Sequence, residues 1–490
     1  MKSLAVLLCI LAILPGTGAL AQEPIQAPVE QGVPFPLYRT TLPNGLRVWC
    51  QPRPDSQSVA TLLVIDAGAR DETPSINGIS HFVEHMLFTG TERWSEEEVK
   101  EIITRRGGYW NGWTSIERTT YFAHVAAQDL DLALDWLAEL VFHATVPADK
   151  VDKERDVIFQ ERWGHYGWLI NALDSLGFGY ELDRDLRRAL FPGSSLGLRV
   201  VGEDASLESL DRADLLDYYR QHYRPNNAVL IVVGKAAPEQ VLERVGIIFG
   251  GLGEGGSPDR AVAQEAPPPM GQGPYRVVVR GPMATDQVQL MTGARTVGRT
   301  HPDQWALRVL AELLDEDLME EIRYQRGLVY GLCAYNVWFD DAGYFVVSTT
   351  SDGDRIESIQ ETVEEHLERV RRGVVSPEAV AEAKVALQGR WALAMEDNVD
   401  RASWLAGWSG VLSEDQLMPD YQAAIGAVET EDLSRVVQTY FTPERSYTGL
   451  HRPVVTVASG ARIAAAVVVL GVGVWALCRF RRRARSRDAP

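Results

Sequence analysis

Between residues 40 and 460 the apolar positions follow two periods. In short runs they alternate, as in a strand with one buried face; in longer runs they recur at three and four, as on an amphipathic helix. Strand-like runs lie at Leu46–Cys50 and Ala60–Ala67, followed by a helix through His81 and His85 and another at Ser95–Arg105. A strand at Thr119–Val125 comes next, then helices at Ala127–Phe142 and Asp149–Trp163, and a helix near Arg212–His222 leading into the strand Ala228–Val233. Residues 250–274 (GGLGEGGSPDRAVAQEAPPPMGQGP) break the pattern, being rich in Gly and Pro and poor in large apolar groups, and read as a linker. The pattern then resumes: strands at Tyr275–Arg280 and Gln287–Thr292, a helix at Pro302–Ile322, strands at Val329–Asn336 and Gly343–Thr349, helices at Gly353–Arg371 and Pro377–Met395. The two stretches are alike in outline. They predict an α+β chain of two related domains, residues 37–249 and 275–450, each a mostly antiparallel sheet covered by helices.

The ends carry a different signal. Lys2, the apolar run Leu4–Leu14 and the small-x-small triplet Ala19-Leu20-Ala21 read as a signal peptide over residues 1–21, cut before Gln22. Ile463–Cys478 is uncharged, with Arg462 before it and six arginines after it. It reads as a transmembrane helix over 463–480 with flanking arginines at the interfaces and a basic cytoplasmic tail, 481–490. The expectation is an exported body on the periplasmic side of a bacterial inner membrane, held by this C-terminal helix. The chain carries −19 overall; residues 479–490 carry +5, so the remainder carries −24. An acidic body argues against nucleic acid as a partner. Cys50 and Cys333 are the cysteines outside the two end segments, one in each half; a single bridge between them is open, and two buried thiols are expected.

Chemistry concentrates in His81-Phe82-Val83-Glu84-His85. Imidazoles four residues apart on a helix point the same way and can reach one metal ion. Glu84 between them is placed to take a proton from water at the open coordination position. The order His-x-x-Glu-His inverts the commoner zinc helix and is that of the inverzincins. A catalytic zinc needs a third protein ligand. Downstream, DKERDVIFQERWG sets Glu154 and Glu161 two helical turns apart on one face, with Val157 and Ile158 toward the core.

These segments resemble the pitrilysin family of inverzincin metallopeptidases, which includes insulysin and the mitochondrial processing peptidase. GISHFVEHMLFTGT is similar to that family's zinc helix, and the likeness runs over about residues 37–450. It implies one zinc ion per chain on His81, His85 and Glu161, Glu84 as general base, and Glu154 orienting a ligand from behind. GGYWNGWTSIERTTYF resembles the segment where the family holds substrate beside an edge strand, implying that Asn111 contacts substrate backbone. Trp110 and Trp113 flank it, either as an apolar substrate surface or as plain core. EEIRYQRGLVYGL carries Arg323 and Tyr330 seven apart, the spacing with which the family grips substrate and polarises its scissile carbonyl. The helix of the second half that corresponds to the histidine helix, PDQWALRVLAELL, has no ligands. The implied function is a zinc-dependent endopeptidase acting on peptides or unfolded segments in the cell envelope. Its two domains would form a clam-like cleft, alone or as a homodimer or a heterodimer with a related subunit. A catalytically silent scaffold subunit of a membrane complex, and a maturase for one exported peptide, are the alternatives.

Overall fold

The computed structural model describes residues 36–163, 181–253, 267–413 apart from 270 and 272, 416–456, and short pieces between 462 and 475. Two sheets organise it. Strands β1 (Tyr38–Thr41), β2 (Arg47–Pro52), β3 (Ser58–Ile65), β4 (Tyr109–Thr114), β5 (Thr119–Ala126) and β6 (Ala228–Gly234) form the first, in the order β1-β2-β6-β3-β5-β4. Strands β7 (Tyr275–Ala284), β8 (Gln287–Val297), β9 (Leu332–Trp338), β10 (Ala342–Asp352) and β11 (Ser446–Val455) form the second, in the order β7-β11-β8-β10-β9.

Leaving β1 aside, the two orders are the same. The parallel pair β2/β6 answers the parallel pair β7/β11, and every other pairing is antiparallel. The histidine helix (Ile79–Leu87) lies between β3 and β4, as the helix Gln304–Leu318 lies between β8 and β9. β4 and β9 are the corresponding edge strands.

One core fills the space between the first sheet and its own helices, built on Phe82, Val83, Leu134, Trp136 and Ile158 among others. A second does the same for the other sheet around Leu310, Leu314, Phe345 and Val437. The opposite faces are covered reciprocally. The helix Asn398–Ser409, from the second half, packs Ala402, Leu405 and Ala406 onto Leu62, Val64 and Ile231 of the first sheet. The helix Leu182–Leu190, from the first half, packs Leu186 and Leu190 onto Val279, Met291 and Tyr447 of the second. Each half is therefore finished by an element of the other, which short-range periodicity does not reveal.

Several expectations are corrected. Among the described residues no helix is long and apolar enough to cross a membrane. The expected placement at a bacterial inner membrane is corrected on that ground, and most of the predicted segment 463–480 lies outside the described residues. Sixteen uncharged residues at 1.5 Å each reach only about 24 Å, short of a hydrocarbon core of about 30 Å. The proposed signal peptide lies outside the described residues, as do most of the linker and the basic tail. Cys50 is buried but Cys333, on the edge strand β9, is exposed; both are free thiols. The predicted helix Pro302–Ile322 is α-helical over Gln304–Leu318 and continues as a π-helix over Met319–Gln325.

Candidate metal centre

The histidine helix is locked at its start. Glu72 is buried and accepts from Gly78 N (2.7 Å), Ser80 N (2.9 Å) and Asn77 Nδ2 (2.8 Å), satisfying amides that the first helical turn leaves without partners. Gly78 has φ 95°, and a Cβ there would stand 2.6 Å from Gly202 Cα, so glycine is required on both counts. Burial pushes the Glu72 carboxyl up to about 7. Phe82, Val83, Met86 and Leu87 face the core, leaving His81 and His85 on the other side toward the helix Ala148–Trp163.

On that side the imidazoles meet edge to face, centroids 4.6 Å apart. Glu161 Oε2 lies 3.6 Å from His81 Nε2 and 3.3 Å from His85 Nε2. Glu154 Oε2 lies 3.4 Å from His85 Nδ1, behind the ring, and Glu154 Oε1 is 3.5 Å from Lys153 Nζ. Glu84 is buried, its Oε2 accepting from Thr114 Oγ1 at 2.7 Å. Gly112 leaves room for it: a Cβ there would be 3.1 Å from Glu84 Oε1. Thus the three predicted metal ligands, the predicted base and the predicted orienting carboxylate are brought together.

Charge follows the packing. Burial, reinforced by the neighbouring His85, pulls His81 down to about 3, so it stays neutral. Burial pulls His85 the same way, but Glu154, Glu161 and Glu84 outweigh it and raise it. Burial raises Glu84, with the Thr114 hydroxyl acting against it. Burial also disfavours ionised Glu154, yet His85 and Lys153 hold it below the usual carboxylate range.

The donor set fits a zinc ion. Tetrahedral ligands about 2.0–2.1 Å from zinc stand about 3.3 Å from one another. The imidazole–carboxylate separations of 3.3 and 3.6 Å are of that size, and the three donor atoms all lie within 4.8 Å. Two neutral-capable imidazoles and one carboxylate, with a second carboxylate behind one ring, is the chemistry of a three-ligand zinc site.

Residues 47–165 match the insulinase (peptidase family M16) profile, and residues 209–387 the one described as the peptidase M16 inactive domain. An uncharacterized zinc protease of Mycobacterium tuberculosis H37Rv is 30% identical over 386 residues, covering 78% of this chain and 85% of that protein. The chain belongs to the M16 peptidase family. Another uncharacterized zinc protease, from Bacillus subtilis, is 28% identical over 412 residues (83% of this chain, 96% of that one). A protease from Helicobacter pylori superposes with TM-score 0.76 at 22% identity, over 86% of this chain and all of that one, and shares the fold. The pitrilysin-type resemblance read from the zinc helix is met. In this M16 chain the inactive-domain match takes in β7 to β10 of the second sheet, whose helix Gln304–Leu318 carries no histidine or cysteine.

The remaining predicted residues lie apart. Asn111 is exposed on the edge strand β4, its Oδ1 accepting from the next amide, Gly112 N, at 2.9 Å. Trp110 stacks on Phe88 at 4.9 Å and donates to Lys100 O at 2.9 Å, so it belongs to the core; Trp113 is partly exposed beside Phe122. Arg323 lies in the π-helix with its guanidinium 5.3 Å from the Tyr330 ring, and Tyr330 is 90% exposed. Among the described residues no hydrogen bond or ion pair joins either to the histidine cluster. His165 lies outside the described residues. Thr114 and Glu72 were not foreseen. Their roles depend on a strand and a turn meeting the helix, and nothing in the local pattern marks them.

Proposed function

We propose that this protein is a zinc-dependent endopeptidase acting on extended peptides or unfolded segments. The convergence of His81 Nε2, His85 Nε2 and Glu161 Oε2, with the buried Glu84 carboxylate beside them, carries the reading. Zinc held by these three residues would supply Lewis acidity toward water and the scissile carbonyl. Glu84, oriented by Thr114, takes a proton from the attacking water and delivers it to the leaving amine. Glu154 holds the His85 ring and its tautomer.

Substrate adds as a strand along β4, which ends the sheet and has one unpaired edge, with Asn111 contacting its backbone. Tyr330 and Arg323 stabilise charge on the carbonyl oxygen. Tyr330 is solvent-exposed and makes no hydrogen bond among the described residues, which favours its being presented to the histidine cluster of a second subunit. A homodimer, or a heterodimer with a related subunit, then forms the clam-like chamber.

Zinc content and cleavage of a quenched peptide library, measured on wild type and Glu84→Gln, test the reading. Wild type should hold one zinc per chain and cleave. The variant should keep the metal and lose hydrolysis by several orders of magnitude. A wild type that binds zinc and cleaves nothing in any subunit combination would make it a scaffold instead.

A further inference from the structure

A cavity of about 340 Å³ lies where the two halves meet. Trp113 lines it from β4 and Ile116 from the turn that follows, Trp338 from β9 and Phe339 from the turn that follows, and Ala406 and Gly407 from the reciprocal helix Asn398–Ser409. Three ionisable groups also line it: Glu117, Arg118 and Arg299.

Two of these are satisfied. Glu117 Oε1 accepts from Arg70 Nη1 and from Asp340 N, both at 2.8 Å. Arg118 donates to Asp66 Oδ1 at 3.1 Å and to Asp340 Oδ2. Arg299 is different. Its guanidinium makes no hydrogen bond among the described residues, and its Nε is buried without a partner. Its ion pair with Asp340 is long, Oδ1 standing 4.0 Å from Nε with no hydrogen bond between them, so the guanidinium is neutralised only in part and keeps its donors unused. Arg308, outside the lining, lies nearby with its guanidinium 5.2 Å from the Trp338 ring, and among the described residues no ion pair joins it to a carboxylate. A buried guanidinium left in this state is costly unless something pairs with it. Burial accordingly lowers both arginines from their ordinary value, and Arg299 lowers Arg308 further. The helix passes Arg299 at Gly407, where a Cβ would stand 3.0 Å from Nη1, so the guanidinium is fixed in the wall.

The cavity adjoins the edge strand through Trp113. Gly112 and Thr114 face Glu84, whereas Tyr109 and Trp113 face the other way, against Phe122. A peptide paired with β4 alternates in the same manner. Its side chains not directed at the histidine helix are directed to this face.

We propose that the cavity is a specificity subsite that takes a carboxylate of the bound peptide and pairs it with Arg299, between Trp113 and Trp338. The proposal rests on the peptidase reading for its link to substrate, and on the cavity alone for its chemistry.

Two measurements separate these. Succinate should raise the thermal midpoint of wild type, leave Arg299→Gln unmoved and act partly on Arg299→Lys. Ser403→Asp, which places a carboxylate in the cavity wall, should abolish the succinate effect as Arg299→Gln does, and guards against loss of folding in either variant. Equal stabilisation of wild type and Arg299→Gln overturns the site. Fluorescein-labelled decapeptides carrying Glu or Gln at one scanned position, with amidated or free C-termini, give the source. Wild type should bind one carboxylate-bearing series about tenfold more tightly, and Arg299→Gln should bind all series alike. Preference for Glu in amidated peptides assigns an acidic side chain; preference only for free termini assigns the terminal carboxylate. If succinate discriminates but no peptide does, the carboxylate site stands and its role in substrate selection falls.

Discussion

Thr114 Oγ1 donates a 2.7 Å hydrogen bond to Glu84 Oε2, tying the base on the histidine helix to the last residue of the edge strand β4. Substrate pairing with β4 and orientation of the base are therefore coupled through one hydroxyl. A hydrogen bond to a charged group contributes about 1.5–3 kcal/mol. Thr114→Val should lower kcat by roughly 10- to 100-fold with zinc content unchanged, and Thr114→Ser should recover most of it. Steady-state kinetics on a cleaved peptide decide this. Unchanged kcat in the valine variant would remove Thr114 from the site.

Glu154 is buried behind His85 and shares its Nδ1 side. A partner placed so fixes the ring and its tautomer, and its loss typically costs 10- to 100-fold in metal affinity. Glu154→Gln should thus weaken zinc binding by about that factor, measured by competition with a chromophoric chelator. Glu161→Gln, which removes a donor atom itself, should weaken it more. The reverse ranking would exchange the roles of the two carboxylates.

The histidine helix and the helix Arg212–His222 were legible because each pairs a helical period with a buried face, and the strand at Thr119–Ala126 because it is a short run of β-branched and aromatic residues, buried on both faces. The helix Asn398–Ser409 was not. Its contact face is made of Ala402, Ala406 and Gly407 beside Leu405, small residues that leave little apolar periodicity, and its partner strands β3 and β6 lie far away in sequence, in the first half of the chain. β11 was missed too, since Arg452 and Pro453 interrupt its alternation and its parallel pairing with β7 joins distant segments. The π-helix Met319–Gln325 continues a regular helical pattern in sequence and differs from it only in hydrogen bonding. At the site, the two histidines announce themselves by spacing, whereas Thr114 and Glu72 act through tertiary register.

Reciprocal packing is pinned by a buried ion network. Arg118 reaches Asp66 in its own half and Asp340 in the other, and Arg70 reaches Asp341 at 2.6 Å. Breaking a buried pair by removing one partner costs about 3–5 kcal/mol, because a charge is left without compensation. Asp340→Ala should lower the thermal midpoint accordingly. Gly410→Ala should do so by another route, because a Cβ at Gly410 overlaps the Arg118 guanidinium. Differential scanning calorimetry of both variants checks this; a midpoint unchanged by Asp340→Ala would mean the halves are held by apolar packing alone.

His222 predicts an acid limit. Its ring lies against Tyr218 with centroids 4.2 Å apart, and burial, aided by the nearby Arg224, pulls it down to about 4. An unfolded histidine titrates near 6.5. A folded value below the unfolded one means stability that is fully present above pH 6.5 and lost as pH falls toward 4. With allowance for partial exposure the loss is on the order of 2 kcal/mol. Glu72 and Glu117 act in the opposite sense, since burial pushes both up to about 7 and their contribution is lost as pH rises. A comparison of wild type with His222→Phe isolates the histidine, because the carboxylates are common to both proteins and phenylalanine preserves the ring contact. Denaturant unfolding at pH 7.5, 6.5, 5.5 and 4.5 should show the variant gaining on wild type at each step below 6.5. A difference that stays constant with pH would mean that His222 is protonated as readily in the folded chain as in the unfolded one.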